Sequence, residues 1–216
     1  MESNNSYTYD PRNIEILEKI RPNSLYTIMQ LSKIATPIIS TRQKQVIIGT
    51  ILGGSSVVKP KNGKNCYLSM RDKHGNWLEW KAFQLDSLSS YTPFTVEKTN
   101  RWHSFCLPEF NELRDKFYTN QKRLLRLKEL ELLWDSALAT WYGDCGKIKD
   151  NCVILNTNIW GEKGTKIFVK YFNLIDYYAE IFQERGHYRI RLDEISSFKF
   201  IKLISPVLPD FMKATP

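Results

Sequence analysis

The chain has 216 residues, 42% of them hydrophobic and 25% charged, with 31 Lys plus Arg against 23 Asp plus Glu and a formal net charge of +8. That is ordinary globular composition, long enough to bury a core as one large domain or two small ones. No run reaches the roughly 18 apolar residues that a membrane span needs, the start Met1-Glu-Ser-Asn-Asn5 lacks the basic-then-apolar order of a secretory signal, and Cys66, Cys106, Cys145 and Cys152 form neither C-x-x-C nor a zinc-ligand spacing with a histidine pair. Free thiols in a reducing, intracellular compartment are therefore expected, the cytoplasm or an organelle if the chain is organelle-encoded. The basic excess admits two readings, a solvated lysine-rich surface or a polyanion partner. The choice depends on whether the charges share one surface.

Taken in chain order, only the first residues, Met1 to Tyr9, read as disordered. Ile14, Leu17 and Ile20, then Leu25, Ile28 and Leu31, predict two short helices broken at Pro22, either simple packing or a helix-turn-helix. A helix is predicted over 43–53. Pro60-Lys-Asn-Gly-Lys64 reads as a hairpin turn. In the strand after it, Cys66, Leu68 and Met70 alternate with Asn65, Tyr67, Ser69 and Arg71. Gly75-Asn76 reads as a turn, Trp77 to Leu88 as a helix, and Phe94 to Lys98 with Trp102 to Leu107 as a second strand pair. Pro108 suits the first turn of a helix over 109–118.

The order then repeats. Gln121 to Glu131 is a basic connector. Asp135 to Gly143 reads as a helix capped by Asp135. Lys147 to Asp150 and Cys152 to Thr157 form a hairpin about Asp150-Asn151. Phe168, Phe172, Ile175, Ala179 and Phe182 stand at helical spacing and predict one long helix with a core-facing aromatic stripe. Tyr188-Arg-Ile-Arg-Leu192 alternates as a strand, and Ser196 to Ile204 closes the chain as a helix.

Two segments stand out within this repeat, Ile47-Ile-Gly-Thr-Ile-Leu-Gly-Gly-Ser-Ser56 and Leu138-Ala-Thr-Trp-Tyr-Gly-Asp-Cys-Gly146. They resemble the two motif copies of single-chain LAGLIDADG homing endonucleases, which run like L-L-G-T-L-L-G-D-G-S and L-A-x-W-Y-M-D-D-G. Trp77-Leu-Glu-Trp-Lys81, Phe110-Asn-Glu-Leu-Arg-Asp-Lys-Phe-Tyr118 and Ser197-Phe-Lys-Phe-Ile-Lys-Leu-Ile-Ser-Pro206 resemble further stretches of that family, in its order. The resemblance covers roughly residues 43–213.

The resemblance implies an α+β fold of two pseudo-symmetric halves, each αββαββα. Two antiparallel sheets would form a saddle, with the motif helices at the interface. It implies an N-terminal extension over 1–40, a first half over 41–118, a connector over 119–134 and a second half over 135–216. Small residues would let the motif helices approach, and Gly49 with Gly53 and Ala139 with Gly143 stand one turn apart. A mid-helix glycine costs about 1 kcal/mol against alanine, so close backbone packing is a reasonable use for it.

The family's chemistry needs one carboxylate from the end of each motif helix, holding divalent metals that clamp a phosphodiester. Here those positions are Gly54 and Cys145. Glycine offers no ligand, and a thiol suits magnesium poorly. Asp144 matches the neighbouring, non-ligating acid. One helical step turns it by about 100°, so it does not simply substitute, and it reads as a solvated acid near a helix end. His74 falls in a turn, and His103 and His187 fall in strand patterns as packing or surface residues. No catalytic residue, metal or cofactor is expected, Mg2+ entering only if an endonuclease with a rearranged site survives.

The family lays its sheets in adjacent major grooves. The outward candidates in the first half are Lys59, Lys61, Lys64, Tyr67, Ser69, Arg71 and Lys73, and in the second Lys147, Lys149, Asn156, Arg189 and Arg191. Arg189 and Arg191, two apart, share a face and suit phosphate neutralisation or guanine reading. The expected function is sequence-specific binding of double-stranded DNA by a monomer without cleavage. The alternatives are an active endonuclease and an RNA-binding, maturase-like splicing helper.

Overall fold

The computed structural model describes residues 37–90 and 92–213. The two short helices expected over 13–35, and the expected disorder of 1–9, lie outside the described residues. The chain divides into two units, Met1–Ser40 and Thr41–Pro216. The second unit carries both motif segments and both sheets.

The first half runs α1 (Thr41–Gly53), β1 (Ser56–Val58), β2 (Tyr67–Asp72), α2 (Gly75–Gln84), β3 (Phe94–Val96), β4 (Thr99–His103) and α3 (Pro108–Phe117). A two-stranded hairpin, β5 (Tyr118–Thr119) and β6 (Lys122–Arg123), leads into the second half: α4 (Asp135–Cys145), β7 (Gly146–Lys149), β8 (Cys152–Asn156), α5 (Gly161–Leu174), β9 (Ala179–Glu184), β10 (His187–Leu192) and α6 (Glu194–Ile204). Each half is αββαββα, and each sheet is antiparallel, in the order β1-β2-β4-β3 and β7-β8-β10-β9.

The motif helices α1 and α4 pack on each other and form the molecular axis. Their sequences explain their place. Val46, Ile47, Gly49, Thr50, Ile51 and Leu52 are buried in α1, and every residue from Ser136 to Tyr142 is buried in α4. A helix buried all round belongs in the centre. At one end Gln45 ties the pair together: its Nε2 donates to the Leu132 carbonyl and its Oε1 accepts from the Trp134 N–H, each at 2.9 Å. Gly49 then permits the crossing, because a Cβ there would collide with the Ala137 carbonyl and come within 2.8 Å of the Thr140 Cβ.

Several elements differ from the sequence expectation. Gly75-Asn76 is the first turn of α2 rather than a separate turn, and the helix ends at Gln84 before a short 3-10 turn over Asp86–Leu88. The strand expected from Trp102 begins at Thr99, because Glu97 and Lys98 adopt positive φ and form a tight turn without glycine. Asp135 does not cap α4. Trp134 occupies the cap position, no side chain caps it, and Asp135 accepts only from its neighbour Ser136. The long helix expected to reach Phe182 stops at Leu174, and Ala179 and Phe182 lie in strand β9. The turn into β10 uses Arg185 and Gly186, both at positive φ.

Candidate nucleic-acid interface

Residues directly opposite in an antiparallel ladder share a face. In the first sheet Val57 pairs with Leu68 and Met70 with Trp102, all four buried, which defines the inner face. The outward rows are therefore Ser56–Ser69–His103 and Phe94–Arg101–Arg71, with Tyr67 opposite Val58 beside them. Tyr67, Ser69 and Arg71 stand on one face as expected. Arg101, His103 and Phe94 join them; Arg101 was missed because the strand was expected to begin only at Trp102, whereas Phe94 and His103 fell within expected strands without being assigned to the outward face. His103 sits against Tyr67 and Phe94, with ring centroids 5.6 and 5.8 Å away. Burial, then Arg101 and Arg71, push its imidazole below the ordinary value. Lys59, Lys61 and Lys64 gather in the β1–β2 turn, where the Lys59 ammonium donates to the Lys64 carbonyl, and exposed Lys73 follows the other end of β2.

In the second sheet Leu155 and Ile190 lie inward. One outward row crosses all four strands, Lys147–Ile154–Arg191–Glu180, and a second runs Asn156–Arg189–Phe182. Lys149 pairs with Cys152 at the rim. All five second-half candidates thus share a face, and that face also carries carboxylates. Glu184 takes Lys147 at 3.3 Å and Arg189 at 3.0 Å, and Glu180 takes Arg191. The hydrogen bond from Lys147 holds the Glu184 carboxyl below its usual range. Both acids went unassigned in the sequence because a helical period was read through β9. The alternation Ala179-Glu-Ile-Phe-Gln-Glu184 before Arg185-Gly186 was the signal available.

Between the sheets the motif helices end differently. A Cβ on Gly53 would collide with the Asp144 side chain, so Gly53 meets the second motif across the axis. Gly143 does not serve helix crossing as expected: a Cβ there would run into the Trp77 ring of α2. Asp144 is not solvated either. Its side chain is 6% exposed, and its Oδ1 accepts from Trp77 Nε1 at 2.6 Å and from Lys81 Nζ at 2.5 Å. Lys81 is itself buried and stands 3.8 Å from Asp72. Burial pushes the Asp144 carboxyl up while Lys81 and Trp77 pull against it. Burial, and then Asp144, push the Cys145 thiol up, and its Sγ–H donates to the Trp141 carbonyl at 3.3 Å. Gly54, at φ +131°, lines a cavity of about 190 Å³ with Ser55, Ser69, Arg71, Asp72 and Asp144.

Each half also reaches into the other's motif helix. Trp77 does so at Asp144, and Trp160 Nε1 donates to the Leu52 carbonyl at 3.0 Å. The connector supplies Arg123, whose guanidinium donates to the carbonyls of Ile51, Gly54 and Ser55 at 3.1, 2.8 and 2.7 Å and so closes the C-terminus of α1. Nothing in the spacing of the basic connector singled this arginine out.

Two helices crossed between two antiparallel sheets, with cations on the outward faces, define a two-repeat α+β protein of LAGLIDADG architecture. Residues 44–200 match the model of the LAGLIDADG DNA endonuclease family, and the chain belongs to that family. The homing endonuclease I-WcaI, solved bound to its DNA recognition sequence, is similar over 92% of this chain and 95% of its own, with TM-score 0.77 and 22% identity. I-DmoI, solved in complex with DNA and Mn, is similar over 76% of this chain and 96% of its own, with TM-score 0.52 and 14% identity. Protein RecA of Mycolicibacterium fallax is 31% identical over 114 residues, which are 50% of this chain and 27% of that protein. The chain thus spans about a quarter of that relative.

The divalent metal implied by the family does not fit the donors present. Magnesium requires near-octahedral hard oxygens. The two motif positions supply a glycine and a buried thiol, and the carboxylate beside them already holds an ammonium ion and an indole N–H.

Proposed function

We propose that this protein binds double-stranded DNA sequence-specifically as a monomer and does not cleave it. The observation that carries the loss of cleavage is the occupant of the motif-helix ends: Lys81 and Trp77 are bonded to Asp144, with Gly54 and Cys145 at the family's acid positions. Binding is supported by two outward faces rich in cations, Arg71 and Arg101 on one and Lys147, Lys149, Arg189 and Arg191 on the other. A likeness to structures solved with DNA adds to it. Lys59, Lys61, Lys64 and Lys73, in loops at the two ends of the first sheet, suit phosphates. Tyr67, Ser69 and Asn156, on the strands, suit base edges. Both motif copies pair within one chain, which supports a monomer.

The test is selection of bound duplexes from a random pool at stated salt, followed by incubation of the selected duplex with Mg2+ or Mn2+. A preferred duplex that stays intact, bound by a monomer in sedimentation, is expected. Specific cleavage abolished by Asp144→Asn would make the chain an endonuclease. Absence of any preferred duplex, with crosslinking to RNA, would make it an RNA-binding helper.

A further inference from the structure

The outward face of the second sheet holds carboxylates that a surface built only to neutralise phosphate would not carry. Glu180 stands directly opposite Arg191 in the β9–β10 ladder, both half-exposed. One carboxylate oxygen, Glu180 Oε1, accepts from Arg191 Nε at 2.8 Å and also from Arg191 Nη2. A guanidinium has five N–H donors in a rigid fork. With Nε and one Nη2 proton engaged, the two protons of Nη1 and the second of Nη2 remain at the tip. That tip is the end-on fork that matches guanine O6 and N7.

The surroundings disfavour a phosphate at the same place. Arg191 lines a depression of about 340 Å³ together with Glu180, Asp193 and Glu194, so that lining carries three carboxylates against one guanidinium. An approaching phosphate meets net negative charge there, whereas the neutral acceptors of a guanine edge do not. The first sheet differs: among the described residues its outward rows contain no carboxylate opposite Arg71 or Arg101, and the acids that share a cavity with Arg71, Asp72 and Asp144, lie at the motif-helix ends beside Lys81.

We propose that Glu180 is a positioning residue that presents Arg191 to a guanine, making Arg191 a specificity determinant of the second half rather than a phosphate contact. The proposal rests on the DNA-binding reading above. It makes an unusual pair of predictions, because Glu180 helps the right sequence and repels every sequence. Its removal weakens binding to the selected duplex and strengthens binding to a scrambled one.

The experiment is duplex selection with the wild-type chain, Glu180→Ala, Arg191→Ala and the double variant, with affinities measured on the selected and scrambled duplexes at one salt concentration. Both side chains are on the surface, 42% and 51% exposed, so folding should not be at issue; thermal melting checks it. The wild type is expected to require guanine at one position of one half-site. Glu180→Ala should lose about tenfold on the selected duplex, relax that position alone, and bind scrambled DNA more tightly. In the Arg191→Ala background the Glu180 change should cost nothing further on the selected duplex. A selected site whose guanine preference survives Glu180→Ala, with both affinities rising together, would show Glu180 acting only as a charge and overturn the proposal while leaving DNA reading intact. Failure of the wild type to prefer any duplex would instead remove the DNA-binding reading, and this proposal with it.

Discussion

The two halves share an element order and diverge in chemistry, at the ends of their motif helices and on their sheet faces. The first helix ends in Gly53-Gly54 and the second in Asp144-Cys145, so the axis is closed by one acid rather than two. That acid lies against the buried ammonium of Lys81 from the opposite half. On the sheets, the first half presents Arg71 and Arg101 beside Tyr67, Phe94 and His103, while the second presents four cations interleaved with Glu180 and Glu184. Shared topology thus says where side chains point, and the individual residues say what they can recognise or hold.

The sharpest way to break the helix-end asymmetry is Lys81→Met. It leaves Asp144 buried without its cation and should cost about 3–5 kcal/mol in urea unfolding, as removal of one partner of a buried pair does. Adding Asp144→Asn should recover much of that loss. If the single variant is as stable as wild type, the ammonium does not hold the acid. Next in size, Gly49→Ala should cost about 1–3 kcal/mol by overpacking the crossing against Ala137 and Thr140. Gly161→Ala, where an added Cβ meets nothing within 4 Å but the backbone stands at φ +62° and ψ −172°, a region kept almost wholly to glycine, should cost about 1–3 kcal/mol through backbone strain alone.

The sheet contrast is sharpened by a pair of arginines. Arg191→Ala should lose about 1–3 kcal/mol on the selected duplex and little on scrambled DNA. Arg71→Ala, which faces Arg101 rather than a carboxylate across the ladder, should weaken both and lower the salt slope by about one. Identical profiles for the two would erase the distinction between the faces. The smallest effect expected is at α6, the second half's closing helix, where the Asp193 side chain accepts from the Ser196 N–H at 2.7 Å. Asp193→Ala should cost about 1 kcal/mol. The hydrogen bonds from Ser196 hold the Asp193 carboxyl below its ordinary value. The cap's pH-linked contribution is therefore fully present above about pH 4 and is lost as pH falls through the lowered folded value. Stability of wild type and Asp193→Ala measured from pH 7 to pH 2.5 should converge.

The sequence by itself determined the family, the αββαββα order, the motif helices and the outward alternation of Tyr67, Ser69 and Arg71, because these rest on local periodicity and on residues adjacent in the chain. Only the tertiary structure decided what Asp144 does: its partners Lys81 and Trp77 lie more than sixty residues away and meet it across the axis. The same holds for Gly143, whose missing side chain makes room for Trp77, and for Arg123, which closes α1 from the connector. In β9 the physical reason is different. Phe168, Phe172, Ile175, Ala179 and Phe182 satisfy a helical period through Leu174 and continue to satisfy it by coincidence beyond. The chain leaves the helix there because Asp176 turns at positive φ and Ala179–Glu184 finds a ladder partner in His187–Leu192. A periodic pattern records which residues seek burial, and the pairing strand decides in which geometry they find it.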